Sequence, residues 1–193
     1  MNEQHRNWFF VASFLLLIVG TNYMQAQSFA TKTNIPLWGT TTPNLSVEAG
    51  LTKRWTLELS GAVNPFTFKD NRKWKHYLLQ GEARYWLCER FYGHFLGIHA
   101  GGGEFNTSRI SVPWLDFDNT YRYEGTTVGA GMSYGYSWVL GKRWNLEATL
   151  GFGWLHLKYD KFQCAHCGKK LETKTENRLA PTKVAVNLIY MIK

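Results

Sequence analysis

The sequence predicts an all-β fold, an eight-stranded antiparallel up-and-down transmembrane β-barrel preceded by a signal peptide. Three observations lead there. Apolar and polar residues alternate with period two through nearly all of the chain beyond residue 26, the pattern of strands with one apolar and one polar face. The joints between these segments are short and long in turn, as tight turns on one rim and loops on the other require. Beyond the N-terminal region no stretch approaches the ~20 apolar residues of a transmembrane helix. A membrane location therefore calls for a closed barrel, the other architecture that satisfies its own backbone polar groups in lipid.

The clearest strand runs from Trp144 to Trp154. Trp144, Leu146, Ala148, Leu150, Phe152 and Trp154 share one face, and Asn145, Glu147, Thr149, Gly151 and Gly153 share the other. An apolar band with an aromatic ring at each end suits a barrel wall. The same alternation gives eight strands at 29–38, 44–51, 55–66, 75–87, 92–105, 123–139, 144–159 and 181–192. Thr52-Lys53-Arg54, Cys88-Glu89-Arg90 and Gly141-Lys142-Arg143 read as tight turns, while 67–74, 106–122 and 160–180 read as long loops. Lys53-Arg54-Trp55-Thr56-Leu57-Glu58 is echoed by Lys142-Arg143-Trp144-Asn145-Leu146-Glu147. Two hairpins meeting the same demands at one rim explain the echo more simply than duplication.

Residues 1–26 read as a cleaved signal peptide, with 27–193 as the barrel domain. A weakly basic start with Arg6 precedes the apolar run Trp8–Val19, and Ala26 is the expected last residue before the cut. The run is short for an anchor helix, the alternative reading. Aromatics at 16% exclude a disordered chain. A mean hydropathy of -0.30 is too polar for a helical membrane protein but fits a barrel, whose strands face lipid with every second residue. The net charge of +8 invites a nucleic-acid reading. Export argues against that partner and points instead to anionic outer-membrane lipid or lipopolysaccharide.

Four groups of residues could carry chemistry. Glu48, Glu58, Glu82, Arg84, Glu147 and Lys183 fall on the polar face and so point into the lumen. An eight-stranded barrel is barely wide enough for its own side chains, so these charges must pair or shift their protonation. A structural polar network is the plainer reading and a catalytic carboxylate cluster the sharper one. Four glutamates against two bases leave the pairing incomplete, so a water, another base or a raised pKa must cover the rest. The second group is histidine. His99 and His156 fall near the loop-side ends of strands, with Ser108 and Ser111 in the loop after His99. A rim His with a nucleophile and a carboxylate would make a lipid-directed, deacylase-like enzyme, but no short motif ties these residues together. Third, Cys164-Ala165-His166-Cys167 offers too few ligands for zinc. In an exported loop Cys164 and Cys167 are expected to form a local disulfide rather than stay as thiols, with Cys88 unpaired on the opposite rim. Fourth, Lys69, Arg72, Lys73 and Lys75 form a basic loop cluster. It would meet lipopolysaccharide phosphates if outward, or be a solvated surface.

Trp138–Thr149, Thr41-Thr42-Pro43-Asn44-Leu45, Ala83–Cys88 and Pro181-Thr182-Lys183 resemble segments of a family of small outer-membrane barrels of unknown function. That family occurs in Gram-negative gut and oral anaerobes, with some members encoded beside fimbrial genes. The resemblance implies location and fold and supplies no catalytic residues. The expected function is a non-enzymatic structural or surface-anchoring envelope component with a plugged lumen, needing no cofactor or metal. Its partners would be outer-membrane lipid and a surface or fimbrial protein. A soluble lipocalin-type binder needs an apolar lumen, which the inward glutamates oppose.

Overall fold

The computed structural model describes residues 29–67, 73–108, 121–163 and 168–192. Eight strands follow one another around a closed antiparallel barrel. They are β1 (Phe29–Asn34), β2 (Asn44–Gly50), β3 (Trp55–Asn64), β4 (Lys73–Trp86), β5 (Gly93–Ser108), β6 (Arg122–Val139), β7 (Trp144–Phe162) and β8 (Lys170–Ile192). The ring closes where β1 pairs with β8, from Phe29 opposite Ile192 to Asn34 opposite Asn187. The expected all-β, eight-stranded, up-and-down architecture holds. The region read as a signal peptide lies outside the described residues.

Successive side chains of a strand point to opposite faces, and burial follows that alternation. On β7, Asn145, Glu147, Thr149 and Gly151 are buried, whereas Leu150, Phe152 and Trp154 are exposed. On β3, Thr56 and Glu58 are buried between the exposed Trp55, Leu57 and Leu59. The barrel is thus apolar outside and polar within around its waist, as the hydropathy pattern requires.

Three departures from the expected boundaries have local causes. The first strand stops at Asn34 instead of continuing to residue 38, because Ile35–Gly39 forms a short helical turn, α1. Pro36 sits in its first turn, where its fixed φ and missing N–H are tolerated but a ladder hydrogen bond is not. Second, most of the stretch 160–180 is hairpin rather than loop. β7 runs on to Phe162 and β8 starts at Lys170, pairing Leu155 with Arg178 through Lys161 with Glu172. Apart from Leu171, residues 170–178 are polar on both faces, so hydropathy carries no period there, and cross-strand polar pairs mark the register instead. Asp160 meets Lys170 at 2.8 Å and accepts from Thr173 Oγ1 at 2.7 Å, and these bonds hold its carboxyl below the usual range. Third, β8 carries a bulge. Lys183 lies opposite Gly151 and Pro181 opposite Phe152, leaving Thr182 without a counterpart. The extra residue reverses parity: Ala180 is buried above it, and Ala185, Asn187 and Ile189 below it. A bulge also suits Pro181, which has no N–H to donate.

Strand length rises from 6 residues in β1 to 23 in β8, so the loop-side rim is low over β1–β3 and tall over β4–β8. The echoed hexapeptides occupy equivalent places on the opposite, turn-side rim. Arg54 Nη1 donates to Tyr85 Oη at 3.2 Å beside the Trp55–Tyr85 ring pair, and Arg143 Nη1 donates to Tyr190 Oη at 3.0 Å beside the Trp144–Tyr190 pair. In both, the Arg of a tight turn and the Trp that follows it clasp a Tyr of the adjacent strand.

If the β7–β8 hairpin extends as described, hydrogen–deuterium exchange will find the amides of 171–179 protected, though less than those of 184–190, because backbone pairing slows exchange. Exchange of 171–179 at the rate of an unstructured loop would contradict this boundary.

Candidate functional site in the lumen

The lumen is stacked in layers along the barrel axis. The turn end is closed by Trp86, Phe91, Phe95 and Ile189, packed with Ala30 and Met191. Trp86 and Phe95 have ring centroids 4.7 Å apart, and the Trp86 indole donates to Thr56 Oγ1 at 2.9 Å. Phe91 reaches inward from the β4–β5 turn through a left-handed backbone conformation with φ of 64°. Its carbonyl accepts from Ser137 Oγ at 3.0 Å and Asn145 Nδ2 at 2.8 Å, and these bonds offset the strain of that conformation in a non-glycine residue. Gly135 makes room for the plug, since a Cβ there would run into the Phe95 ring.

Above the plug lies an ionic layer. Glu48, Glu58, Glu82, Arg84 and Glu147 are buried, and so is Lys32. Arg84 Nη1 meets Glu48 at 3.0 Å and Glu147 at 2.9 Å, while Nη2 meets Glu58 at 2.7 Å and Glu82 at 3.1 Å. Lys32 Nζ meets Glu147 at 2.8 Å and Glu58 at 3.0 Å, and also contacts Glu48. Lys183 Nζ meets Glu58 at 2.7 Å and contacts Glu82. Asn187 Nδ2 donates to Glu147 at 2.9 Å, and Ser133 donates to Glu82. The Arg84 guanidinium lies 4.5 Å over the Phe95 ring, tying this layer to the plug. Gly97 leaves the space that the Glu82 carboxylate and Ser133 hydroxyl occupy.

All six charged residues expected in the lumen therefore meet in one layer. Sequence reasoning missed Lys32, a further base that meets the surplus glutamates. Alternation in Phe29-Ala30-Thr31-Lys32-Thr33-Asn34 has little hydropathy contrast, so its inward set is poorly marked. The count was the available signal, because four carboxylates shared between two bases left a water, another base or a raised pKa to cover the rest, and Lys32 is that other base.

The loop half of the lumen is less filled than expected. A cavity of about 250 Å³ lies there, lined by residues of β4–β8 including Leu78, Phe105, Leu155 and Leu157. A second of about 230 Å³ lies beside it over β1–β3 and β8, lined by polar groups of Asn34, Asn44, Ser60 and Lys183. Leu78, Gln80 and Thr182 border both. The plugged lumen is thus the turn half alone. The cause is side-chain size: β5 and β6 place Gly101, Gly103, Gly125 and Gly129 on the inward face there.

The remaining candidates are placed as follows. His99, expected near the loop-side rim, is instead buried at mid-height, with Nε2 2.7 Å from Thr182 Oγ1. β5 extends nine residues beyond it to Ser108, so its position was misjudged because the strand is longer than the alternation showed. His156 lies on the outer face, stacked on Trp154 with Nδ1 2.7 Å from Asn177 Oδ1. Among the described residues neither histidine hydrogen-bonds a carboxylate. Ser108 is buried. Lys73 begins β4 opposite Ser108, and Lys75 belongs to the exposed outward set. Lys69, Arg72, Ser111, Cys164, His166 and Cys167 lie outside the described residues. Cys88 is an exposed free thiol at the turn rim. No group of three His, Cys, Asp or Glu suited to a metal ion occurs among the described residues.

Fold and site together define a small closed antiparallel barrel with an ionic waist and a partly hollow loop half. The chain belongs to the family described as "Protein of unknown function (DUF3575)", whose match covers residues 12–192. No curated protein and no solved structure matches it.

Arg84 contacts all four glutamates of the waist, so Arg84→Met leaves them facing the two lysines alone. Breaking a buried ion-pair cluster in this way costs about 3–5 kcal/mol. Urea unfolding of the refolded barrel, followed by tryptophan fluorescence, should show a loss of that size. A loss below about 1 kcal/mol, the range of a surface pair, would mean that the layer contributes little.

Proposed function

We propose that the protein is an outer-membrane β-barrel, a non-enzymatic envelope component that conducts nothing through its axis and presents its tall loop-side rim to the exterior. The observation that carries this reading is the outer surface. Each strand from β2 to β8 contributes large apolar side chains to a continuous exposed band, among them Leu45, Leu57, Leu79, Ile98, Met132, Leu150 and Val184. Met132 and Leu150 are 71% and 68% exposed. Single exposed apolar residues are ordinary on soluble proteins, but a band encircling the molecule is not.

Aromatic rings border the band. Trp55, Tyr92, Trp138 and Trp144 lie at the turn end, and Trp38, Tyr77 and Trp154 lie at the loop end. At ~3.3 Å per residue and a tilt of ~40°, the span from Trp144 to Trp154 rises about 25 Å, the height of the apolar band of outer-membrane barrels. The signal-like N-terminus supports delivery to that membrane. The basic residues near the loop rim, Lys75 among them, are suited to lipopolysaccharide phosphates, and the tall rim offers a surface on which a protein partner could be anchored.

The test turns on Leu150, an exposed position. A soluble protein would tolerate a charge there. In a bilayer, Arg at the midplane of the lipid face costs about 2–4 kcal/mol. Leu150→Arg should therefore lower the stability of the barrel folded into vesicles by that amount, and should reduce its recovery in the outer-membrane fraction as the heat-modifiable gel band. An unchanged stability, or wild-type protein found in the soluble periplasmic fraction, would sink the membrane assignment.

A further inference from the structure

We propose that the cavity in the loop half of the lumen is a binding chamber for a small, uncharged, largely apolar molecule bearing one or two hydrogen-bonding groups. Its wall is almost wholly apolar, with Leu78, Phe105, Leu155 and Leu157 facing a glycine side at Gly101 and Gly129. At about 250 Å³ it stands just below the range of about 300–1,000 Å³ typical of small-molecule sites. Barrel interiors of this strand number are ordinarily filled by their own side chains, and the layers beneath this one are. Glycines at inward positions keep the chamber open, and an apolar void of this size forfeits the dispersion contacts of its lining.

The second observation concerns hydrogen bonding. Among the described residues, Thr107 Oγ1, Thr127 Oγ1 and His99 Nδ1 are buried without a hydrogen-bond partner, and all three residues line the chamber. Buried polar atoms are nearly always paired, and leaving one unpaired costs about 1–3 kcal/mol. Three such atoms around one apolar cavity are the sparse polar contacts by which a binding site orients an apolar ligand. His99 closes the floor, held through Nε2 by Thr182 at the β8 bulge, and Nδ1 is its unpaired nitrogen.

The absence of charge follows from the surroundings. The cations below, Arg84 and Lys183, are engaged by glutamates of the ionic layer. Lys75, the charged residue along the lining, belongs to the outward set of β4 and is exposed. Among the described residues, a carboxylate or phosphate buried in the chamber would therefore meet no cation able to offset its desolvation. A neutral alcohol, phenol or amide with an aliphatic body fits both the wall and the three polar atoms.

The test is photolabelling with a diazirine analogue of octanol, and in parallel with the corresponding analogue of octanoate. Both are applied to the folded barrel, with labelled positions read by peptide mass spectrometry. Inward and outward residues alternate, so the positions separate chamber binding from simple partition into detergent or lipid, and the readout holds equally if the barrel is soluble. The octanol probe should label Phe105, Leu155 or Leu157 saturably, in competition with unlabelled octanol. Thr127→Phe and Leu78→Trp, which fill the chamber from strands on either side of β5, should each weaken that labelling by about tenfold, with folding confirmed by the gel-mobility shift. The octanoate probe should label those positions about tenfold less well. Labelling confined to outward residues such as Leu79, Leu150 and Phe152, no labelling of the lumen, or labelling unchanged in both filled variants would overturn the chamber. Equal labelling by the carboxylate would overturn the uncharged class.

Discussion

At the waist of this barrel, glutamates from β2, β3, β4 and β7 converge on Lys32 and Arg84. Stripping six charges of water is very costly, and each is tolerable only because the others sit within ion-pair distance. The strands cannot slide without breaking that arrangement. Lys32 of β1 reaches Glu147 of β7 past the intervening β8, and Lys183 of β8 reaches Glu58 of β3 across the lumen. A slip of one residue would send any of these charges to the outer face and an apolar side chain into the layer. Register, ring closure and the apolar exterior are therefore one constraint, and its geometry is set at the waist.

The layers on either side are consequences of it. Below, the guanidinium that serves the glutamates also lies over Phe95, so the charged layer and the aromatic plug share a member. Phe91 completes the plug only by adopting a left-handed backbone, and the two side chains that hold its carbonyl, Ser137 and Asn145, come from the next strands around the ring, β6 and β7. Above, the glycine-rich inward faces of β5 and β6 leave space where comparable positions lower down carry Phe95 and Ser133. One end is sealed and the other is roomy, an asymmetry written in side-chain volume rather than in backbone curvature.

Period-two hydropathy exposed most of this architecture, because an apolar outer wall and a polar lumen give maximal contrast between alternate residues. It failed wherever that contrast fades. The β8 arm of the upper β7–β8 hairpin is polar on both faces and read as a loop. β1 is short and mixed, so Lys32 went unplaced although another base was one of the ways the surplus of glutamates could be met. The Thr182 bulge was invisible, since parity was read only on one side of it. His99 was assigned to a rim that lies farther along than the alternation showed. Phe91 fell between the turn Cys88-Glu89-Arg90 and the strand read from residue 92, where nothing in the residue type announces an inward side chain. The hollow in the loop half could not be read at all, because glycines on an inward face fit a packed lumen and an open one equally well.

The slanted rim has one further consequence. Among the described strands, Lys170–Ala180 of β8 pairs only with β7, for β1 reaches no higher than the level of Asn187. That leaves a ladder of backbone groups along one side of the tall wall, the kind of edge on which a strand from a neighbouring molecule could seat itself. Lys170, Glu172, Lys174, Glu176 and Arg178 stand along it, and a visiting strand would have to dehydrate them. Barrels crowded side by side can thus keep their tall walls from zipping into one another without any cap on the edge itself.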